Sequence, residues 1–274
     1  MSVENVERLL ARHEDMPARA SAAARVVRLA DDPDTSAQQL ADAISPDPVF
    51  AARLFRVANS PYYGLGGRVS SLTFAVSVVG FQTVRSLAVA AAAGLDRPDA
   101  VPTGFWEASA TCATAAELVA PLLGAHPGDA FSLGLLHTLG SALLHQHAPV
   151  PSVCLPEPFD PGELLRIEHD LYGITHSDAG ARVLGAWQFP HHVCELISRH
   201  HEPLLPDAPP LERSLHTARA LADRILTDDP AGLGTDHSIA WISEGRLTAT
   251  DLGPLLVRLQ EKAQNLLEGL RPSE

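Results

Sequence analysis

The sequence predicts an all-α protein, and three observations carry that expectation. Apolar residues recur at helical spacing along most of the chain, capping residues head one segment after another, and no stretch sustains the apolar–polar alternation of a half-buried strand. The chain has 274 residues, 46% of them apolar and 19% charged, enough for one large or two ordinary domains whose cores need no covalent staples.

The elements follow in order. Ala18 to Ala30 interleaves Ala with Arg25, Val26, Val27 and Leu29 at helical spacing, and Thr35 or Ser36 caps a short helix through Ile44. In "SPDPVFAARLFRVANSP", Asp47 caps a helix, Pro48 takes the first position, where a missing N–H costs nothing, and Asn59 ends it before Pro61. "VSSLTFAVSVVGF" begins at a Ser cap and ends at Gly80, and a further helix runs from about Gln82 to Ala93. The turn-rich "GLDRPDAVPTG" separates two subregions. Beyond it, Thr103 caps a helix to about Leu123, and a single helix is expected from about Asp129 to His147. "HAPVPSVCLPEPFDPGE" reads as a Pro-rich surface connector. Asp160-Pro161 opens a helix, Thr175 caps another to about Trp187, Pro190 opens one ending near His200, and Leu211 to Leu226 is amphipathic. Ile239 to Ile242 reads as a short strand-like piece. A terminal helix capped by Thr250 carries Leu252, Leu255, Leu256, Leu259, Ala263, Leu266 and Leu267 on one stripe; this stripe packs on the main body or pairs with a second copy as a homodimer.

A net charge of −13, with Lys262 the sole lysine, argues against general nucleic-acid binding or attachment to an anionic membrane. Cys112, Cys154 and Cys194 are odd in number and far apart, as in a reducing, cytoplasmic setting. The N-terminus lacks a signal-peptide core, and apolar runs such as Leu87 to Leu95 are too short to span a bilayer.

The thirteen histidines include several at helix ends in the second half. His137 lies in "GLLHTLG", His176 follows the Thr175 cap, His200 and His201 end a helix in "ISRHHEP", and Asp223 sits among apolar neighbours in "ARALADRIL". Tandem His with an inward acid can build a divalent-metal site, whereas a lone His on an apolar face is ordinarily a hydrogen-bonded core residue. His145, His147, His191, His192 and His216 have no grouping that lifts them above that plain reading, and His126 and His237 read as solvated.

Residues 17–226 resemble the HDOD domain family. The first-half marks are "ISPDP", "RLFRVANSPYYG", "VSSLTFAVSVVG" and "TVRSLAV"; the second half adds "FWEASATCATAAELVA", "GLLHTLG", "HSDAGARVLGAWQFP", "LISRHHEP" and "LADRIL". The resemblance implies an all-helical fold with subregions at about 17–95 and 103–226, preceded by an extension over 1–16 and followed by another over 227–274. It also implies a stand-alone bacterial signalling or scaffold module, related to the HD-type metal-dependent phosphohydrolases but without their metal chemistry.

The residues agree with that loss. An HD site needs an early His, a His-Asp pair and a distal Asp. The early position falls near Ala108, which has no donor atom, and His137 is followed by Thr138, whose neutral hydroxyl replaces a carboxylate. The lysine common after the pair is replaced near Ser141. His137 and Asp223 alone give two ligands, where catalytic metals are held by three. The expected site is therefore a vestigial pocket of His137, Thr138, His176, His200, His201 and Asp223, with no metal, no cofactor and no catalytic residue. The remaining His are retained for packing and capping, or for binding a ligand or partner.

A second candidate is the loop "VANSPYYGLGGRVSS". Asn59, Tyr62, Tyr63 and Arg68 either pack the junction of the subregions or form a recognition edge; the glycines are not followed by the Lys-Ser/Thr of a phosphate loop. The leading expectation is a non-enzymatic adaptor or scaffold binding a protein partner of a signalling pathway or a small ligand. The alternatives are a phosphohydrolase of nucleotides or cyclic dinucleotides with a remodelled site, or a receptor for such a second messenger without turnover, using Arg53, Arg56, Arg68 and Arg85.

Overall fold

The computed structural model describes residues 11, 22–95, 100–147, 161–227 and 235–271. Among them every regular element is helical. The 1–16 extension, apart from Ala11, and the Pro-rich connector through Asp160 lie outside the described residues, as do Ala18 to Ser21.

The first elements are α1 (Ala22–Leu29), α2 (Ala37–Ile44), α3 (Pro48–Ala58), a 3-10 turn (Pro61–Tyr63), α4 (Leu72–Val79) and α5 (Phe81–Ala92). The expected caps form. Ser36 makes a reciprocal capping box with Gln39 ahead of α2, the Asp47 carboxylate accepts from the N–H groups of Val49 and Phe50, and Ser71 accepts from Phe74. Leu40, Ile44, Phe50, Leu54 and Leu87 are fully buried between these helices, each worth roughly 1.5–3 kcal/mol of transfer free energy.

The later helices are organised around α6 (Phe105–Leu123), which packs on α7 (Pro127–Leu136), α12 (Pro210–Leu226) and α14 (Ala249–Leu270). Its Ala, Ser, Thr and Cys residues are buried nearly all round, so neighbours approach closely from several sides. Gly134 makes one approach feasible: a Cβ there would meet the Ala113 Cα and the Cys112 carbonyl at 2.8 Å. Completing this group are α8 (Leu139–His147), α9 (Pro161–Tyr172), α10 (His176–Ala186), α11 (His191–Arg199) and α13 (Thr235–Ile242).

Four expectations are corrected. The helix expected from Asp129 to His147 is two helices, broken at His137-Thr138, because the His137 imidazole Nδ1 donates to the Gly134 carbonyl (2.7 Å) near the end of α7. Thr103 does not cap α6; Gly104 does, at φ 79°, and its side chain offers nothing. Ile239 to Ile242 is the end of helix α13, packed on α12, not a strand. Thr248 rather than Thr250 caps α14, in a capping box with Asp251.

The stripe of α14 packs on the body. Leu252, Leu259, Ala263 and Leu266 are buried, while Leu255, Leu256 and Leu267 are half-buried. The helix is clamped at its C-terminal end, where Arg53 Nη2 donates to the Leu270 carbonyl (3.3 Å) and Arg56 Nε to the Gly269 carbonyl (3.1 Å). No single helix among the described residues is long and apolar enough to cross a membrane.

Candidate functional site: a histidine cleft

The six residues expected in the vestigial pocket converge. His137, Thr138, His176, His200, His201 and Asp223 line one cleft of about 140 Å3, together with Ala108, Cys112, Ser141 and Arg219. The helix break at 137–138 presents the first pair, the N-terminus of α10 presents His176, the C-terminal end of α11 presents His200 and His201, and α12 presents Arg219 and Asp223. Gly140 lets α8 and α10 touch: a Cβ there would sit 1.8 Å from the His176 carbonyl oxygen.

The hydrogen bonds fix which nitrogen of each imidazole carries hydrogen. His137 Nδ1 donates to the Gly134 carbonyl (2.7 Å) and His200 Nδ1 to the Ile197 carbonyl (2.6 Å). His176 Nδ1 donates to the carboxylate of Glu168 (2.7 Å), which also accepts from the His176 backbone N–H (2.9 Å). These three rings therefore keep a bare Nε2. His201 is opposite: Arg219 Nη2, which can only donate, lies 2.9 Å from its Nδ1, so its hydrogen is on Nε2 and is donated to His176 Nε2 (2.9 Å). Arg219 also donates through Nη1 to the His200 carbonyl.

The electrostatics disfavour charge on His137, His200 and His201. Burial, then the Arg219 charge, lowers His137 to about 3, and the same two causes hold His200 and His201 well below the ordinary histidine range. Burial also lowers Arg219 from its ordinary value, while Asp223 opposes that fall. The Asp223 carboxyl is raised by desolvation against the pull of Arg219, although the residue keeps an exposed flank at the cleft. Burial raises the Cys112 thiol to about 12, so it is no nucleophile.

Three ligand atoms, one each from His176, His200 and His201, lie within 4.8 Å of one another. The sequence placed these residues in the pocket but did not single them out as one group. Where an enzyme's His-Asp pair would act, Thr138 Oγ1 instead shares a hydrogen bond of 2.9 Å with Ser109 Oγ, and Ala108 offers no donor. Glu168 and Arg219 were missed. Glu168 is i+4 from Leu164 and i−4 from buried Tyr172, and Arg219 is one turn before Asp223; those spacings were the available signal.

The loop candidate is tied into the body. Asn59 brackets Val69, with Nδ2 donating to its carbonyl and Oδ1 accepting from its N–H, both at 3.0 Å. The Tyr62 hydroxyl donates to Glu117, its ring packs edge-on against Tyr63 at 4.9 Å, and Lys262 of α14 lies 5.0 Å over it. Burial, then Glu117, pushes both phenols well above their usual range. Arg68 is exposed. Arg53 and Arg85 are buried, Arg85 in an ion pair with Asp31, so the four arginines form no common exposed patch.

The HDOD domain family model matches residues 16–203, which includes His137, His176, His200 and His201 and ends before Arg219. Among solved structures, the fold is similar to a candidate phosphohydrolase from Shewanella amazonensis SB2B (26% identity, 90% of this chain and 91% of that one, TM-score 0.67). It is also similar to a candidate signal transduction protein from Marinobacter aquaeolei VT8 (25%, 90% and 57%, 0.63). An HDOD domain protein of unknown function from Geobacter sulfurreducens shares the fold at 20% identity (90% and 89%, 0.60). No curated protein matches the chain.

Proposed function

Since this chain belongs to the HDOD domain family, we propose that it is a non-enzymatic signal-transduction module, an adaptor or scaffold that binds a protein partner or a small ligand through its helical body. One observation carries the reading: the hydroxyl-to-hydroxyl bond between Ser109 and Thr138 stands where a metal-holding carboxylate would. A neutral hydroxyl cannot offset the charge of a divalent ion, and Ala108 removes a second ligand. At that position only His137 and Asp223 are left as ligands, too few to bring a bound water to the acidity that phosphoester hydrolysis requires. The similarity to a candidate signal transduction protein supports the signalling half of the reading.

A metal-dependent phosphohydrolase is the second reading, favoured by the histidine cluster and by the candidate phosphohydrolase among the neighbours. The discriminating experiment incubates the full chain with Mg2+ or Mn2+ and nucleotide or cyclic-dinucleotide substrates. No turnover attributable to the cleft is expected. Hydrolysis that disappears in His137→Ala would overturn the proposal.

A further inference from the structure

The cleft contains two arrangements that exclude one another. In the first, His176 Nε2 is 2.9 Å from His201 Nε2 and 3.4 Å from His200 Nε2. These two separations bracket the edge of a tetrahedron drawn by nitrogens bound to zinc, about 3.3 Å for Zn–N bonds of roughly 2.0–2.1 Å, and all three ligand atoms lie within 4.8 Å of one another. His176 and His200 are held as metal ligands usually are, with the far ring nitrogen donating to a carboxylate or a carbonyl.

The second arrangement is the one present. A ligand imidazole must turn a lone pair to the ion and keep its hydrogen on the other nitrogen. His201 does the reverse, because Arg219 Nη2 occupies its Nδ1. The result is a directed chain: guanidinium of Arg219, His201, His176, carboxylate of Glu168. A fixed positive group stands at one end and a buried carboxylate, 1% exposed, at the other. Two imidazoles join them, each donating onward, so both ends enforce the same hydrogen positions. A divalent ion at the three Nε2 atoms would break the His201–His176 bond, force a second hydrogen onto the Arg219 side of His201, and sit beside a guanidinium.

We propose that Arg219 is the resident cation of this cleft: its guanidinium, through its bond to His201, stands in for a divalent ion and excludes one from the His176–His200–His201 cluster. The inference deepens the non-enzymatic reading and rests on it. In that reading the residues at Ala108 and Thr138 leave the ancestral metal position without its ligands. Arg219 accounts for how a pocket rich in imidazoles stays closed to zinc.

The test uses the full chain and zinc alone. Equilibrium dialysis against buffered zinc is run on the wild type, on Arg219→Met and on Arg219→Met combined with His201→Ala. Arg219→Met is expected to bind one zinc roughly 10- to 100-fold more tightly than the wild type. The added His201→Ala change is expected to abolish that gain. Equal affinity in wild type and Arg219→Met, or a gain that survives His201→Ala, would overturn the proposal. If Arg219→Met does not fold, long-range 1H–15N spectra of the wild-type imidazoles decide instead. They should show His201 protonated on Nε2, unchanged by added zinc; an Nδ1-protonated His201 would overturn the assignment. Wild-type zinc binding without hydrolysis ends this inference alone, whereas cleft-dependent turnover ends the adaptor reading.

Discussion

The Nε2 atoms of His176 and His201 lie 2.9 Å apart, and the hydrogen between them belongs to His201. That direction depends on Glu168, whose carboxylate holds the hydrogen of His176 on Nδ1 and so leaves Nε2 free to accept. Glu168→Gln replaces a charge-assisted acceptor with a neutral amide in a site that offers water no access. Hydrogen bonds to charged groups are worth about 1.5–3 kcal/mol, so Tm should fall by roughly 3–10 °C. A melting curve superimposable on the wild type would show that Glu168 anchors nothing.

Two glycines, one on α8 facing α10 and one on α10 itself, separate steric need from mere tolerance. A Cβ at Gly140 would overlap the His176 carbonyl oxygen, which is backbone and cannot swing aside. Gly140→Ala must push α8 off α10, costing about 1–3 kcal/mol as overpacking does, and it shifts His176 in the cleft. At Gly185, on α10 itself, an added Cβ meets nothing nearer than Cys194 Sγ at 3.9 Å. Gly185→Ala should therefore stabilise by roughly 0.5–1 kcal/mol through helix propensity. Urea denaturation of both variants checks the pair, and shifts of the same sign would contradict it.

The helices were legible because their stops and starts are local. Asp47-Pro48, Ser71, Thr175 and Pro190 mark boundaries that the structure keeps. The break at His137 was not legible, because a side chain took a carbonyl from the helical ladder, and the flanking Gly134 and Gly140 lie inside the two helices rather than at the break. The strand-like reading of Ile239 to Ile242 failed because four apolar residues carry no period, and packing on α12 decided for helix. In the cleft the ligand-type residues were visible as types. Arg219 was not, since its stretch reads as an amphipathic helix and only the fold aims it at His201.

Acid should weaken the fold, and the sign follows from the buried imidazoles. Burial, then Arg219, lowers His137 to about 3 in the folded chain, and the same causes lower half-buried His216 to about 4. In the unfolded chain a histidine titrates near 6.5. Below that value the unfolded state binds protons that the folded state refuses. Stability is thus complete above pH of about 6.5 and declines toward about 4, by up to roughly 1.4 kcal/mol per pH unit for each such histidine. Urea midpoints measured across that window should fall with pH, and His216→Gln should flatten the slope. A midpoint independent of pH would refute the buried neutral state.

The last helix is part of the core and not a detachable tail. Leu252, Leu259, Leu266 and Leu270 are buried, and Arg53 and Arg56 hold the final carbonyls. Burial lowers Arg53 to about 9, so this guanidinium depends on the carbonyl of Leu270 for part of what water would have supplied. Removing residues 248–274 bares that apolar face on α3 and α6, and the truncated chain should aggregate or lose its cooperative melt. A monodisperse truncation with wild-type Tm would instead place α14 outside the folding unit.

Restoring the missing carboxylate should not restore an enzyme. Thr138→Asp puts an acid beside His137, within reach of the Ser109 hydroxyl that Thr138 now engages. Ala108 still offers no ligand, and the Arg219 guanidinium still lines the cleft. A carboxylate introduced there shares the cleft with that guanidinium, whose positive charge opposes a divalent ion. The variant should fold, show no Mn2+-dependent phosphoester hydrolysis, and bind no manganese in dialysis. If Thr138→Asp alone turned over a nucleotide substrate, the two remaining obstacles would not be obstacles, and the cleft would be one residue from catalysis.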